Sequence, residues 1–195
     1  LGGAASALSS EWERVVLGVP GINYSLLLSR SSQWPPFQAV LDAAYPDPVD
    51  RVLAIQLAQM LWDRGENSGY AHHLTTDPLA DDIPVKQVLL IEAFGDHQVA
   101  NVSTEVLARS IGATVVRPSL EPGRSNDVEP QWGLAATDFD DPSAATLVVW
   151  DFDTPAPPTV NLPPSEPEYG VDPHGAGVLE PRVLQQALAF LLTGT

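Results

Sequence analysis

Residues 86–112, KQVLLIEAFGDHQVANVSTEVLARSIG, constrain the fold more than any other part of the chain. The apolar run that begins at Val88 is typical of a strand buried on both faces of a parallel sheet. Gly95 and Asp96 follow as a tight turn, and a helix-like pattern then continues until Gly112 ends it. The segment therefore predicts that the Asp96 carboxylate lies at the carboxyl end of a strand, where open α/β sheets hold their functional groups.

Strands and helices alternate along the rest of the chain. Short apolar runs predict further strands at residues 14–19, 114–117 and 146–152. A helix of small residues is expected near the beginning of the chain, and a last helix begins near Pro181. This order predicts an α/β fold with a mainly parallel sheet, with fewer strands than a complete doubly wound domain.

A helical stretch separates the first two predicted strands. Residues 22–79 have helical spacing, and Asp47 followed by Pro48 is a favourable N-cap and first helical position for the main helix. We expect a core formed by residues 1–21 and 80–195, with residues 22–79 inserted as a lid or cap. Ordinary helices that cover a sheet face would produce the same pattern.

The charge balance excludes several classes of function. The 195 residues carry 25 acidic and 9 basic side chains, for a net charge of −16, and the basic residues form no cluster. Nucleic-acid binding needs such clusters, so we expect no nucleic-acid partner.

No apolar run is long enough to span a membrane. There is no cysteine, which rules out disulfides and thiolate chemistry but leaves the compartment open, with a secreted location slightly favoured over a cytoplasmic one.

A single histidine lies in a turn-rich loop shortly before the last predicted helix. His174 lies in the sequence Asp172-Pro173-His174-Gly175, after a long proline-rich loop. Loops of that length in compact domains are usually functional. An acid after one strand, followed by a histidine before the final helix, is the second half of a Ser…Asp…His order.

Four segments together resemble the C-terminal half of a bacterial α/β-hydrolase of the esterase or lipase kind. The segments are VVLGVPGINYS (15–25), AAYPDPVDRVLAIQLAQMLWDRGENSGYAHHL (43–74), LLIEAFGDHQVANVSTEVLARSIGA (89–113) and GVDPHGAG (170–177). The resemblance implies an α/β-hydrolase sheet in which Asp96 is the catalytic acid and His174 the catalytic base of a catalytic triad. It also implies that acyl transfer needs no cofactor and no metal.

The nucleophile of such a triad is missing from this chain. No G-x-S-x-G elbow occurs, and the resemblance implies that the serine and the oxyanion-hole amides precede Leu1. In such hydrolases a helix of small residues follows the elbow, and residues 2–9 look like that helix. The chain does not begin with Met, and we expect a preceding N-terminal segment or a companion chain that carries the serine. This chain alone is then expected to be inactive.

Aromatic side chains are frequent in the helical insertion. They suit a pocket for the acyl or aryl group of a small ester or lipid substrate, although core packing explains them equally well. The residues are Trp34, Phe37, Trp62 and Tyr70.

An alternative function is that of a non-catalytic, acidic α/β module that binds a partner chain or calcium. Carboxylate oxygens are the ligands that calcium prefers, but the acidic residues do not have the spacing of an EF-hand loop. They are Asp138, Asp140, Asp141, Asp151 and Asp153. The adjacent His72 and His73 do not share a helix face, so they predict no metal site. His97, next to Asp96, is expected to be structural.

Overall fold

The computed structural model of the protein describes residues 1–138 and 144–194. The strands are β1 (Arg14–Gly18), β2 (Gln87–Ala93), β3 (Thr114–Val116), β4 (Ala136–Thr137) and β5 (Ala145–Trp150). The helices are α1 (Gly2–Leu8), α2 (Tyr24–Leu27), α3 (Pro35–Ala44), α4 (Pro48–Trp62), α5 (Ala71–Thr75), α6 (Asn101–Ser110), α7 (Ala176–Leu179) and α8 (Pro181–Thr193). Short 3₁₀ turns lie at Leu28–Arg30, Asn67–Tyr70 and Pro167–Tyr169.

The five strands form one sheet in the order β1-β2-β5-β3-β4, and every pairing is parallel. The α/β class and the parallel sheet predicted from the sequence are thus confirmed. The apolar runs predict no strand between residues 117 and 146, and they therefore missed β4, a strand of two residues that pairs with β3 at the sheet edge. The strand β5 inserts between β2 and β3, an order that hydrophobic periodicity does not encode.

Alternate side chains of the strands enter two separate apolar clusters. Leu90 and Leu147 point to the face covered by α1, α5 and α6. Leu89 and Val148 point to the opposite face, where Val183 and Phe190 of α8 cover them. The chain leaving β2 therefore enters a helix on one face, while the chain leaving β5 enters helices on the other. Such divergence at the carboxyl ends of neighbouring strands opens the crevice in which α/β proteins bind ligands.

The apolar side chains of α4 follow the helical spacing of the sequence, but the structure leaves most of them uncovered. Asp47 caps the helix as expected, with its side chain accepting from Val49 N at 2.8 Å. The apolar side chains, however, are mostly exposed, because α4 contacts only α2 and α3 extensively and does not lie on the sheet. The exposed residues are Val49, Val52, Leu53, Leu57, Met60 and Leu61.

Helical spacing predicts that the last helix buries Val183, Leu184, Ala187, Leu188 and Leu191. Val183 is buried and Ala187 packs partly buried against the core, whereas Leu184, Leu188 and Leu191 are exposed. Phe190 contributes the second buried side chain instead. None of the described helices is long and apolar enough to cross a membrane.

Candidate active site

The turn after β2 is stabilised by the side chain of Asn101. Its Nδ2 donates to Ala93 O at 2.7 Å, and its Oδ1 accepts from Gly95 N at 2.8 Å. Asn101 is thus the first residue of α6 rather than its N-cap, which is Ala100. Gly95 has a φ of 81°, a conformation that residues with a Cβ rarely adopt. These features hold the following residue, Asp96, in a fixed position at the carboxyl edge of the sheet.

The Asp96 carboxylate is almost fully buried and has a hydrogen-bond donor on each oxygen. Its Oδ1 accepts from Gln98 N at 2.8 Å and from Val99 N at 2.9 Å. Its Oδ2 lies 2.8 Å from His174 Nδ1. The structure therefore brings together the acid and the histidine that the sequence pattern selected, although they are 78 residues apart.

A second aspartate orients the loop that carries His174. Asp172 Oδ1 accepts from His174 N at 3.0 Å and from His97 N at 3.2 Å. Asp172 Oδ2 accepts from Gln98 Nε2 at 2.8 Å. The loop after β5 is thereby attached to the turn after β2. Sequence reasoning missed this role, for which the only signal was an acidic residue two positions before the histidine.

The electrostatics favour a histidine whose Nδ1 carries the proton. The hydrogen bond to Asp96 raises the pKa of His174 above its ordinary value, and burial opposes part of that rise. Because an ionised Asp96 can only accept, the bond fixes the proton of a neutral imidazole on Nδ1. Nε2 is then left with its lone pair, and no described residue forms a hydrogen bond with it. The arrangement can accept a proton at Nε2 and stabilise the resulting imidazolium.

The other candidate residues are not part of the contact between Asp96 and His174. His97 is buried, and its Nε2 lies 3.1 Å from Tyr169 O, a contact that agrees with a structural role. Trp34 stacks on Phe37, Trp62 contacts Tyr24 edge-on, and Tyr70 packs against the core. These contacts do not test a role of the four aromatic residues in substrate binding, which stays a prediction.

A cavity of about 570 Å³ lies beside Asp96, on the sheet face covered by α6. Asp96 contributes to its wall, and Glu92 and Phe94 of the same segment line it as well. None of the four predicted aromatic residues belongs to its lining. Phe94 is covered by the Arg124 guanidinium, which lies 5.4 Å above the ring.

No calcium site is found among the described residues. In residues 1–138 and 144–194 no three histidine, aspartate or glutamate side chains are arranged to hold a metal ion. Asp151 is engaged by Arg124, whose Nε and Nη2 donate to its two oxygens at 2.5 and 2.6 Å. Asp140 and Asp141 lie outside the described residues.

Comparison of this chain with family models, curated proteins and solved structures gives no match. The resemblance to α/β-hydrolases therefore depends on the residues of this chain alone.

Proposed function

We propose that this chain supplies the acid and the base of a serine carboxylic-ester hydrolase. The observation that carries the proposal is the 2.8 Å contact between His174 Nδ1 and the buried carboxylate of Asp96 at the carboxyl edge of a parallel sheet. In the proposed reaction, His174 Nε2 takes the proton of a serine hydroxyl as the hydroxyl oxygen attacks an ester carbonyl. The imidazolium then protonates the leaving alcohol. Water attack on the acyl-enzyme, again with His174 as base, releases the acid.

The N-terminal helix supports a nucleophile from outside these residues. A Cβ at Gly2 would lie 3.0 Å from Leu17 Cδ2, near the end of β1, so α1 begins at the sheet edge that carries Asp96. Gly3 N is held at that edge by Asn67 Oδ1 at 2.8 Å. Among the described strands, β1 pairs with β2 alone, which leaves its other edge open. A parallel strand on that edge, leading into α1, would make a right-handed β–α–β unit and end beside His174.

A serine-reactive fluorophosphonate probe tests the proposal on the intact gene product, followed by intact and peptide mass spectrometry. We expect the probe on a serine outside these 195 residues, either in the same polypeptide or in a companion chain. His174→Ala should abolish labelling and hydrolysis of p-nitrophenyl butyrate. Asp96→Asn should lower kcat by about 10⁴-fold, since the amide favours the wrong tautomer.

The matched control is His73→Ala, because the His73 ring is also partly exposed but its Nδ1 lies 2.5 Å from the backbone carbonyl of Asp77 rather than against a buried carboxylate. This variant should label at the rate of the unchanged protein. Absence of labelling in the intact protein, or full labelling in His174→Ala, would refute the hydrolase proposal.

The second candidate is the non-catalytic module, and one observation favours it. The hydrolase hypothesis expects a large apolar surface around residues 1–20 and 88–93 that a companion chain would cover. Residues 88–93 are instead all buried by the chain's own elements, although Leu1, Leu8 and Trp12 in the first segment are exposed. A failed labelling experiment would therefore favour the module, with the exposed apolar side chains of α4 as the first surface to examine for a partner chain.

A further inference from the structure

Glu92 is a buried carboxyl group without a hydrogen-bond partner. Its side chain is 1% exposed, and neither Oε1 nor Oε2 has a partner among the described residues. Backbone groups cannot fill this need, because the residue lies inside β2, where amides pair with the neighbouring strands. A buried polar group that lacks a partner is costly and calls for a specific explanation.

The surroundings of Glu92 favour its uncharged form. Burial raises its pKa well above the ordinary value, and the nearby carboxylates of Glu105, Asp96 and Asp127 raise it further. Arg109 opposes this rise, and it already pairs with Glu105 at 3.5 Å. A new cation beside Glu92 would therefore favour its ionisation.

The cavity that Glu92 lines has the size and chemistry of a small-molecule site. Its volume of about 570 Å³ falls in the range of roughly 300–1,000 Å³ that is usual for such sites. Acidic side chains line part of the wall, and apolar side chains, including Trp132, Val160 and Leu162, line another part. Acidic and apolar walls together suit a ligand that has both a cationic group and an apolar body.

The basic side chains of the cavity do not neutralise this wall. Arg109 Nη1 donates to Trp132 O at 2.9 Å, and Arg30 Nη1 donates to Leu26 O at 2.6 Å. Five carboxyl side chains face the cavity against these two guanidinium groups; they belong to Glu92, Asp96, Glu105, Asp127 and Glu129. No three of the described side chains have metal-ligand geometry, so an organic cation fits better than a bare metal ion.

We propose that this cavity binds an organic ammonium ligand, with the ammonium group donating to Glu92 and the apolar body lying against Trp132 and Val160. Binding then converts the Glu92 carboxylic acid to a carboxylate and releases its proton to solvent, while the ligand keeps its own charge. The buried carboxyl group acquires donors that no described residue offers it. Asp96 lines the cavity as well, but the proposed ligand contacts neither His174 nor the reacting ester, so the proposal does not depend on the proposed hydrolase function.

Benzylamine and benzyl alcohol are suitable probes, because they share a shape and differ in charge. We expect benzylamine to bind at least about tenfold more tightly than benzyl alcohol, in line with a charged hydrogen bond. Isothermal titration in two buffers of different ionisation enthalpy should show that the protein releases a proton on binding. Glu92→Gln should weaken benzylamine binding at least about tenfold and abolish proton release, because the amide has no proton to lose.

Two further variants keep the test decisive. Glu11→Gln removes an exposed carboxylate that does not line the cavity, and it should leave affinity and proton release unchanged. Asp127→Asn, at an exposed position on the cavity wall, should weaken binding severalfold without any risk to the core.

The proposal fails if benzylamine does not bind, if both probes bind equally, or if Glu92→Gln binds benzylamine as tightly as the unchanged protein. Calcium chloride that binds with the same proton release, lost in Glu92→Gln, would replace the organic cation with a metal ion. Each of these results leaves the hydrolase labelling experiment unaffected, so the two ideas fail independently.

Discussion

Two carboxyl groups four positions apart in the sequence have opposite environments. Asp96 is 2% exposed and Glu92 is 1% exposed, so burial does not distinguish them. Asp96 accepts from two backbone amides and from His174, whereas Glu92 has no partner among the described residues. The comparison teaches that the secondary structure around a buried carboxyl group, rather than its depth, decides whether it has hydrogen-bond donors.

The difference has a simple origin in secondary structure. The chain turns sharply after β2, so the backbone amides of Gln98 and Val99 lie outside the sheet and donate to the Asp96 carboxylate. Glu92 lies within β2, where it pairs in register with Val149 of β5 and the backbone amides are already used. A carboxylate at the end of a strand can thus be stabilised by local backbone, while one inside the strand needs a donor from elsewhere.

Removing Asp96, the carboxyl group that has hydrogen-bond donors, should have the largest effect on the free energy of unfolding. Asp96→Ala leaves the Gln98 and Val99 amides and the His174 ring without their acceptor. We expect the free energy of unfolding to fall by about 3–5 kcal/mol, the usual effect of removing one partner of a buried, hydrogen-bonded charge. Urea denaturation measures it, with the exposed Asp81→Ala as control. A loss as small as that of Asp81→Ala would mean that the turn does not depend on the carboxylate.

The turn that presents Asp96 should be nearly as sensitive. Gly95→Ala forces a Cβ into a φ of 81° and places it 2.8 Å from Thr154 Cγ2 and 2.9 Å from Pro155 O. Gly112→Ala is the matched control, with a φ of 68° and nothing within 4 Å of the added Cβ. We expect losses of about 1 kcal/mol at Gly112 from backbone strain and about 2–3 kcal/mol at Gly95, where steric overlap adds to that strain. Equal losses in thermal or urea unfolding would show that the packing against the β5 loop is loose.

The sequence predicted the alternation of strands and helices, except for β4, and it selected the Asp96–His174 pair. Apolar runs identify β2 and β5, and the turn residues after β2 and before the last helix mark the two candidate side chains. The residues that support Asp96 and His174 could not be predicted. Asn101 looks like an ordinary helix cap, and Asp172 forms a hydrogen bond with a residue 75 positions away in the sequence. Only the folded arrangement, with β5 next to β2, brings these donors and acceptors together.

Glu92 interrupts the apolar run of β2, a sequence signal that the prediction of a buried strand did not take into account. A glutamate in the apolar run VLLIEAF has no place in an ordinary buried strand, and local conflicts of this kind are expected at functional sites. The apolar residues of α4 show the reverse error, because helical spacing predicts which side chains share a face but not whether anything covers that face. Periodicity therefore supplies alternation and faces, whereas partners and coverage come from tertiary structure.

A change at Glu92 should have the opposite sign to a change at Asp96. The pKa of Glu92 is raised in the folded state. Below the ordinary glutamate pKa, ionisation of Glu92 therefore does not lower the free energy of unfolding. Stability falls as pH rises from there towards the folded-state pKa, by up to about 1.4 kcal/mol per pH unit. Glu92→Gln removes this dependence, so the variant should match the unchanged protein in acid and exceed it near neutral pH. Urea midpoints across pH measure the effect, and a less stable variant at neutral pH would mean that Glu92 is ionised and paired.

The smallest expected effect is a shift in the titration of His174. The hydrogen bond to Asp96 is the main cause of the raised pKa, and the charge of Asp172 makes a lesser contribution. The stability that the Asp96–His174⁺ pair contributes is complete below the ordinary histidine pKa and is lost as pH rises through the folded-state value. Followed by NMR of the imidazole, Asp96→Asn should lower the pKa of His174 more than Asp172→Asn does. If the two variants shift it equally, the imidazole responds to the overall negative charge of the loop, and the 2.8 Å contact has no special influence on its proton.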